Sequence, residues 1–527
     1  MGPARVTPRS QLIFLCLLPG LLSGAHPPAP RRLVVLLVID QLRPDYLERY
    51  RAQWTGGFAR ILREAAYFPR GMQDHALTET APGHATLLSG RYPGHVGIVS
   101  NNRGVLDPAF PVLGAQGEPG ASPLRFRGTT LYDWMRAADP GARLLAVSKK
   151  DRGAMLPVGR ARGPVFWYVD GRFTTSRYYA DSLPTWVTAY NARQGAQHLA
   201  GKAWTLLLDD SAYQEADSMP FENNGRDVAF PHRMATDPDS AAHRLPRYPW
   251  MDSLTLDFAE DGAGWLGLGR RNRPDLLVIS LSTTDYVGHE FGPDSREMHD
   301  HLLRLDRWLG AFFDSLTTLV PWDQTLLVLT ADHGVVAFPE LARARGRQAG
   351  RVSLQALLRS AVASLQTRYG ETFSFEFDAG LLSADLGRLR ARGVRVDSLA
   401  QALAVAAKTQ PGVIRTYTAK SLAAAPSTDM HAARWRRSLP ADYGWLFCAA
   451  LEPGYIWASA SGETTHGTTN PDDVDVPIAF LGGGIHPGVY RRPIPTVDIA
   501  PTLAALLQLT PAEPLDGRVL PEVSGRR

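Results

Sequence analysis

The chain has 527 residues, 44% of them hydrophobic and 20% charged, enough to bury a large core as one big domain or several modest ones. Its net charge is +4 and its pI near 9.0, with no Lys/Arg run of the kind that marks nucleic-acid binding, so that class is set aside. No internal repeat or low-complexity tract is present, so a repetitive structural or adhesion protein is set aside as well.

At the amino end, Arg5 and Arg9 precede a short apolar run, Leu12 to Leu22, broken by Pro19 and Gly20, and Ser23-Gly24-Ala25 follows. This is the pattern of a secretory signal peptide over residues 1–25, cleaved after Ala25. The run is shorter than the roughly 20 apolar residues a spanning helix needs. A periplasmic or secreted protein with no stable membrane span after cleavage is expected. Cys16 follows the bulky Leu15, which is wrong for lipid attachment. Cleavage leaves Cys448 alone, so no internal disulfide can form; its apolar setting, Trp445 to Ala450, predicts a buried, inert thiol.

After a linker at Pro27 to Arg31 comes Leu33 to Ile39, a continuous apolar run rich in β-branched residues. Such a run suits a strand buried on both faces, as in a parallel sheet. Similar runs recur at Leu144–Val147, Leu276–Leu281, Thr325–Leu329 and Val476–Leu481, and a helical pattern covers Met298 to Leu316. Strands alternating with helices predict an α/β fold, a mostly parallel central sheet flanked by helices. Residues 26–527 are read as a single catalytic domain. Two stretches fit the alternation poorly: about 163–261, rich in Tyr, Trp, Pro and Asp, and about 335–463, with a helical piece from Leu386 to Ala407. Both are read as insertions capping the sheet's functional edge.

In open α/β sheets, functional groups gather past the carboxyl ends of the strands. Asp40 ends the first run, Asp285 follows the third, and Asp332-His333 follow the fourth. Asp285 and His289 are four residues apart, which brings them to one face of a helical turn. With His466 they form a mixed carboxylate and imidazole set that suits zinc best, manganese and iron remaining open. A single Asp at a strand end could equally cap the next helix.

Thr78 to Thr86 reads Thr-Glu-Thr-Ala-Pro-Gly-His-Ala-Thr and opens an apolar helical stretch. A hydroxyl at a helix amino end sits where the dipole and free N–H groups favour anions, and metal coordination would make it an alkoxide. Alone, Thr80 reads as an N-cap, and Thr78 competes with it. Lysine occurs only at 149, 150, 202, 408 and 420, so the run Lys149-Lys150-Asp151-Arg152 stands out. If the preceding strand continues, Lys150 and Arg152 share a face and would grip the oxygens of a phosphoryl dianion; otherwise they form a solvated turn. Asn101 could donate to the same group, although Asn101-Asn102 also reads as a turn.

Taken in order, these residues resemble the alkaline phosphatase superfamily over nearly the whole mature chain, and its two-zinc members in particular. The resemblance implies that Asp40, Asp332, His333 and Thr80 surround one Zn2+ and that Asp285, His289 and His466 hold a second. His466 lies in Thr465-His466-Gly467-Thr468, similar to the family's last ligand and its setting. The sulfatases' Cys/Ser-x-Pro-x-Arg is absent, as are the seryl nucleophile and magnesium-site pattern of the best-known bacterial enzymes. Thr80-Ala81-Pro82-Gly83-His84 instead resembles the threonine-nucleophile branch, shared by phosphate-irrepressible (PafA-type) alkaline phosphatases and nucleotide pyrophosphatase/phosphodiesterases. The monoesterases carry Lys-x-Arg, which stands here as Lys150-Asp151-Arg152, and the diesterases generally do not. The resemblance therefore implies a phosphate-monoester hydrolase working through a threonyl-phosphate and releasing inorganic phosphate. A phosphodiesterase or nucleotide pyrophosphatase is the alternative; the complete ligand set and intact Thr80 speak against an inactive metal-binding protein.

Overall fold

The computed structural model describes residues 1–2, 4, 30–115, 117–193, 195–458 and 462–525. The expected signal segment from Arg5 to Ala25, Cys16 included, lies outside the described residues. The central sheet is built from β1 (Leu33–Ile39), β2 (Ala66–Met72), β3 (Leu144–Ser148), β4 (Val165–Val169), β5 (Arg172–Thr174), β6 (Asp275–Leu281), β7 (Thr325–Thr330) and β8 (Asp475–Gly482), with β9 (Gly488–Val489) and β10 (Ile494–Pro495) at one edge. Their order is β9-β2-β8-β7-β1-β6-β3-β4-β5, with β10 also on β2. From β7 to β4 the pairing is parallel; β8 enters antiparallel to β7 and pairs antiparallel with β2.

Every residue of β1, β3 and β6 is buried, because both faces of the sheet are covered. Leu33, Val35, Leu37 and Ile39 of β1 join one apolar layer, while Val34, Leu36 and Val38 join the other, the period of two expected of a strand. Helices α1 (Thr80–Leu87), α2 (Asp151–Met155), α3 (Trp250–Leu266), α4 (Thr283–Glu290) and α5 (Arg296–Leu319) cover these layers or start at their edges. The Ser295 hydroxyl caps α5 by accepting from the N–H of Met298, and Pro321 stands just beyond its end.

The segment expected as an insertion from residue 163 opens with β4 and β5, which extend the sheet itself. The second expected insertion has its own apolar core, with Leu382, Leu403 and Phe447 among its members. There, strands Phe375–Asp378, Leu381–Ala384, Trp445–Leu451 and Val413–Tyr417 pair antiparallel in that spatial order. The helix expected from Leu386 to Ala407 is split into Leu386–Ala391 and Val396–Lys408. Gly393 takes φ +77 between them, a left-handed stop that glycine adopts without strain. Cys448 is fully buried in a neighbouring apolar cluster with Leu77, Val99, Leu381 and Trp435, and burial pushes its thiol well above the ordinary range.

Candidate active site

The carboxyl ends of the parallel strands deliver the candidate ligands to one place. Asp40 follows β1, Asp332 and His333 follow β7, and α4 begins just past β6, presenting Asp285 and His289 one turn apart. His466 arrives from the loop before β8. Asp285 Oδ1 lies 3.2 Å from His289 Nε2 and 3.6 Å from His466 Nε2. His333 Nε2 lies 3.4 Å from Asp40 Oδ1 and 3.6 Å from Asp332 Oδ2, and its ring stacks on that of His466 at 3.7 Å. Asp285, His289 and His466 form one group with ligand atoms within 4.8 Å of one another, and Asp40, Asp285 and His333 form another. Asp285 thus stands between both groups.

The second faces of these histidines are tied down. His289 Nδ1 donates to the Thr464 carbonyl at 2.8 Å, His466 Nδ1 to Thr78 at 2.7 Å and His333 Nδ1 to Gly334 at 3.0 Å. A carbonyl only accepts, so each Nδ1 carries a hydrogen, and Nε2 is the nitrogen each ring turns toward the carboxylates. Asp40 Oδ1, Asp332 Oδ2 and His333 Nε2 are buried without a hydrogen-bond partner among the described residues, an arrangement that is costly unless a cation satisfies it. Buried oxygen and imidazole donors converging in this way fit divalent metal ions.

Charge shapes the centre further. Burial, then the neighbouring Asp285 and Asp332 charges, push Asp40 well above the usual carboxylate range. Burial works the same way on Asp285, but Lys150 and His289 overcome it and hold that carboxyl well below the range. Burial, with His333 and His289 adding to it, keeps His466 well below the ordinary imidazole value, a neutral ring with a free lone pair.

Thr80 is the first residue of α1, a helix whose every residue is buried. Gly83 is required there: a Cβ would meet the Asp332 carbonyl oxygen at 2.3 Å. The hydroxyl of Thr78 is committed to the Thr468 carbonyl at 2.9 Å.

Lys150 and Arg152 correct the expectation of a shared strand face. Strand β3 stops at Ser148, whose hydroxyl accepts the Lys150 N–H at 3.1 Å, and α2 starts at Asp151, whose carboxylate accepts the Arg152 N–H at 2.6 Å. Lys150 still reaches the centre, and it is no solvated turn: its side chain is 6% exposed, with Nζ 2.6 Å from both Asp40 Oδ2 and Asp285 Oδ2. Burial would lower its pKa, but Asp285 and Asp40 raise it above the ordinary lysine value. The Arg152 Nε has no hydrogen-bond partner among the described residues, and the residue lines a cavity of about 220 Å³ together with Lys150, Asp285, Tyr286 and His289. Asn101 Oδ1 accepts the Ala81 N–H at 2.8 Å, which leaves its amide hydrogens for another acceptor.

The contacts of three residues were not anticipated. Gln41, at φ +67, gives its backbone N–H to Asp332 Oδ1 at 3.1 Å and its side-chain amide to Asp285 Oδ1 at 2.8 Å. His84 joins the Thr80 carbonyl at 2.9 Å to the Ser280 hydroxyl at 2.8 Å. Glu79 accepts the Asn101 N–H at 2.7 Å. Only the buried position of a polar Gln41 directly after a strand end was a usable signal for the first.

Residues 34–346 match the family described as Type I phosphodiesterase / nucleotide pyrophosphatase. The chain is 32% identical to alkaline phosphatase PhoV of Synechococcus elongatus, over 93% of this chain and 92% of that protein. It is 29% identical to alkaline phosphatase PafA of Elizabethkingia meningoseptica, over 99% and 100% respectively. The crystal structure of wild type alkaline phosphatase PafA superimposes with a TM-score of 0.87 at 28% identity, covering 95% of this chain and all of that one. The chain belongs to the type I phosphodiesterase / nucleotide pyrophosphatase family.

Proposed function

We propose that this protein is an exported phosphate-monoester hydrolase, an alkaline phosphatase, that uses Thr80 as nucleophile and holds two zinc ions. The observation that carries the reading is the meeting of Thr80 and Lys150 at a carboxylate and imidazole centre, with Lys150 Nζ 3.3 Å from Thr80 Oγ1. Similarity to proteins named alkaline phosphatase over nearly full length supports it. Asp285, His289 and His466 would hold one ion, and Asp40, Asp332 and His333, with Thr80, the other. Zinc in these places supplies Lewis-acid chemistry, lowering the pKa of a bound hydroxyl and neutralising charge.

Thr80 Oγ1 attacks phosphorus, forming a threonyl-phosphate while the phosphorus–oxygen bond of the ester breaks and the alcohol departs. Water then attacks the same phosphorus, frees Thr80 and releases inorganic phosphate. Lys150 and Arg152 pair with non-bridging oxygens as charge-assisted donors, and the Asn101 amide donates to another. Preorganised cations and donors of this kind are what so slow an uncatalysed hydrolysis requires. Residues 26–527 act as a single catalytic domain whose insertions border the mouth of the site, and cleavage after Ala25 delivers it to the periplasm or medium.

A second reading, hydrolysis of phosphodiesters or nucleotide pyrophosphates, draws on the description of the matched family. Metal analysis of the purified protein together with rates on nitrophenyl phosphate and on a bis-nitrophenyl diester separates the two. A monoester preference with bound zinc is expected; a diester preference overturns the first reading, and zinc without turnover of either ester overturns both.

A further inference from the structure

The loop that carries Asn101 is held from two sides, and the second lies in the insertion that follows residue 335. On the first side the Asn101 N–H reaches Glu79 and its Oδ1 receives the Ala81 N–H, at 2.7 and 2.8 Å, so Asn101 is tied to the helix start that bears Thr80. On the second side Asn102 Nδ2 donates to Asp378 Oδ2 at 3.2 Å, and Arg103 gives Glu376 Oε2 its Nη2 and Nε at 2.8 and 3.1 Å. Glu376 and Asp378 alternate along the strand Phe375–Asp378, so both face the loop. The Arg103 guanidinium also lies over the ring of Tyr443, 5.2 Å from its centroid. The Glu79 and Asp378 carboxyls also act on each other, burial first and then the Asp378 charge pushing the Glu79 carboxyl well above the usual range, which closes a ring: helix start, Asn101 loop, insertion strand and back.

Two acidic side chains brought together where burial penalises their charge are a poor device for stability alone. Costly local arrangements of this kind are typical of places where geometry serves function. Asn102 and Arg103 are otherwise exposed, and without the strand the peptide after Asn101 would keep its freedom. We propose that the insertion strand Phe375–Asp378 positions Asn101 for the phosphoryl group, Glu376 and Asp378 acting as positioning residues through Asn102, Arg103 and Glu79. This rests on the reading of Asn101 as a phosphoryl donor and makes the insertion part of the catalytic apparatus rather than a cover. Displacements of about 1 Å at a reacting centre lower rates by up to about a hundredfold.

The test is a double-mutant cycle on the metal-loaded full chain. The pair Glu376→Ala and Asp378→Ala should lower kcat/KM for nitrophenyl phosphate by about tenfold or more and weaken competitive inhibition by inorganic phosphate. In an Asn101→Ala background the same pair should change either quantity by less than about twofold, because no amide remains to be positioned. Additive losses in the two backgrounds overturn the positioning role while leaving the Asn101 reading intact. An Asn101→Ala variant with unchanged kcat/KM and phosphate inhibition overturns that reading and this inference with it. If the double replacement fails to fold, Arg103→Ala, on the exposed side of the loop, cuts the Glu376 tie and the Tyr443 contact while leaving Asp378 in place, and is put through the same cycle.

Discussion

Lys150 Nζ stands 3.3 Å from Thr80 Oγ1 while making ion pairs at 2.6 Å with Asp40 and Asp285. An ammonium so placed favours the deprotonated form of a neighbouring hydroxyl and repels nothing that a phosphoryl group brings. Thr80→Ala removes only the oxygen and one methyl-bearing branch from the buried start of α1. Turnover of nitrophenyl phosphate should fall by at least about a thousandfold, with melting temperature and metal content close to those of the parent. Activity near the parental level would remove Thr80 from the chemistry.

Lys150 and Arg152 should separate monoester from diester. A monoester dianion offers three non-bridging oxygens and a diester one fewer, so cations aimed at the third oxygen count mainly for the monoester. Charge-assisted hydrogen bonds are each worth about 1.5–3 kcal/mol. Replacing both residues by Ala should therefore lower kcat/KM for nitrophenyl phosphate by about a hundredfold or more, and for the bis-nitrophenyl diester by clearly less. Equal losses on the two esters would show that the pair does not select the monoester.

The strands were legible because both faces of the sheet are covered. An uninterrupted apolar run such as Leu33–Ile39 has one comfortable home, and the five expected strands lie within one residue of their observed bounds. β2 was not legible: Pro69, Arg70 and Gly71 break its pattern, and it survives by pairing with β8, β9 and β10. Placing Asp40, Asp285 and Asp332-His333 together needed only the strand-end rule, since β1, β6 and β7 are adjacent and parallel. The approach of Lys150 was misread because a two-residue spacing does not tell a continuing strand from a helix start. Gln41 was missed because a left-handed backbone angle leaves no mark in composition, and the Asn101 loop because its anchors are some 275 residues away in the chain.

Metal removal should act on stability as well as rate. Asp40 Oδ1, Asp332 Oδ2 and His333 Nε2 have no hydrogen-bond partner among the described residues, and ligand binding to the folded state alone stabilises it by mass action. Treatment with a strong chelator should abolish turnover and lower the melting temperature, and zinc should restore both, more completely than magnesium. Full activity after exhaustive chelation, with no metal left by elemental analysis, would overturn the two-metal reading.

Glu222 offers a pH test at a group outside the candidate ligand set. It is 3% exposed, and its Oε2 has no hydrogen-bond partner among the described residues. Burial, then the charges of Glu297 and Asp217, push its carboxyl up to about 9, whereas a glutamate in an unfolded chain titrates near about 4.3. Between these values the folded protein keeps the proton and the unfolded chain has lost it. The stability the group contributes is therefore present in full below the unfolded value and is lost progressively as pH rises toward 9. Glu222→Gln keeps the shape and neutrality of the protonated acid without a proton to lose. The variant should melt higher than the parent at pH 8 to 9 and at the same temperature near pH 4, a difference that thermal unfolding followed by circular dichroism reads directly. A constant difference across that range would mean that Glu222 ionises in the folded protein as it does in the unfolded one.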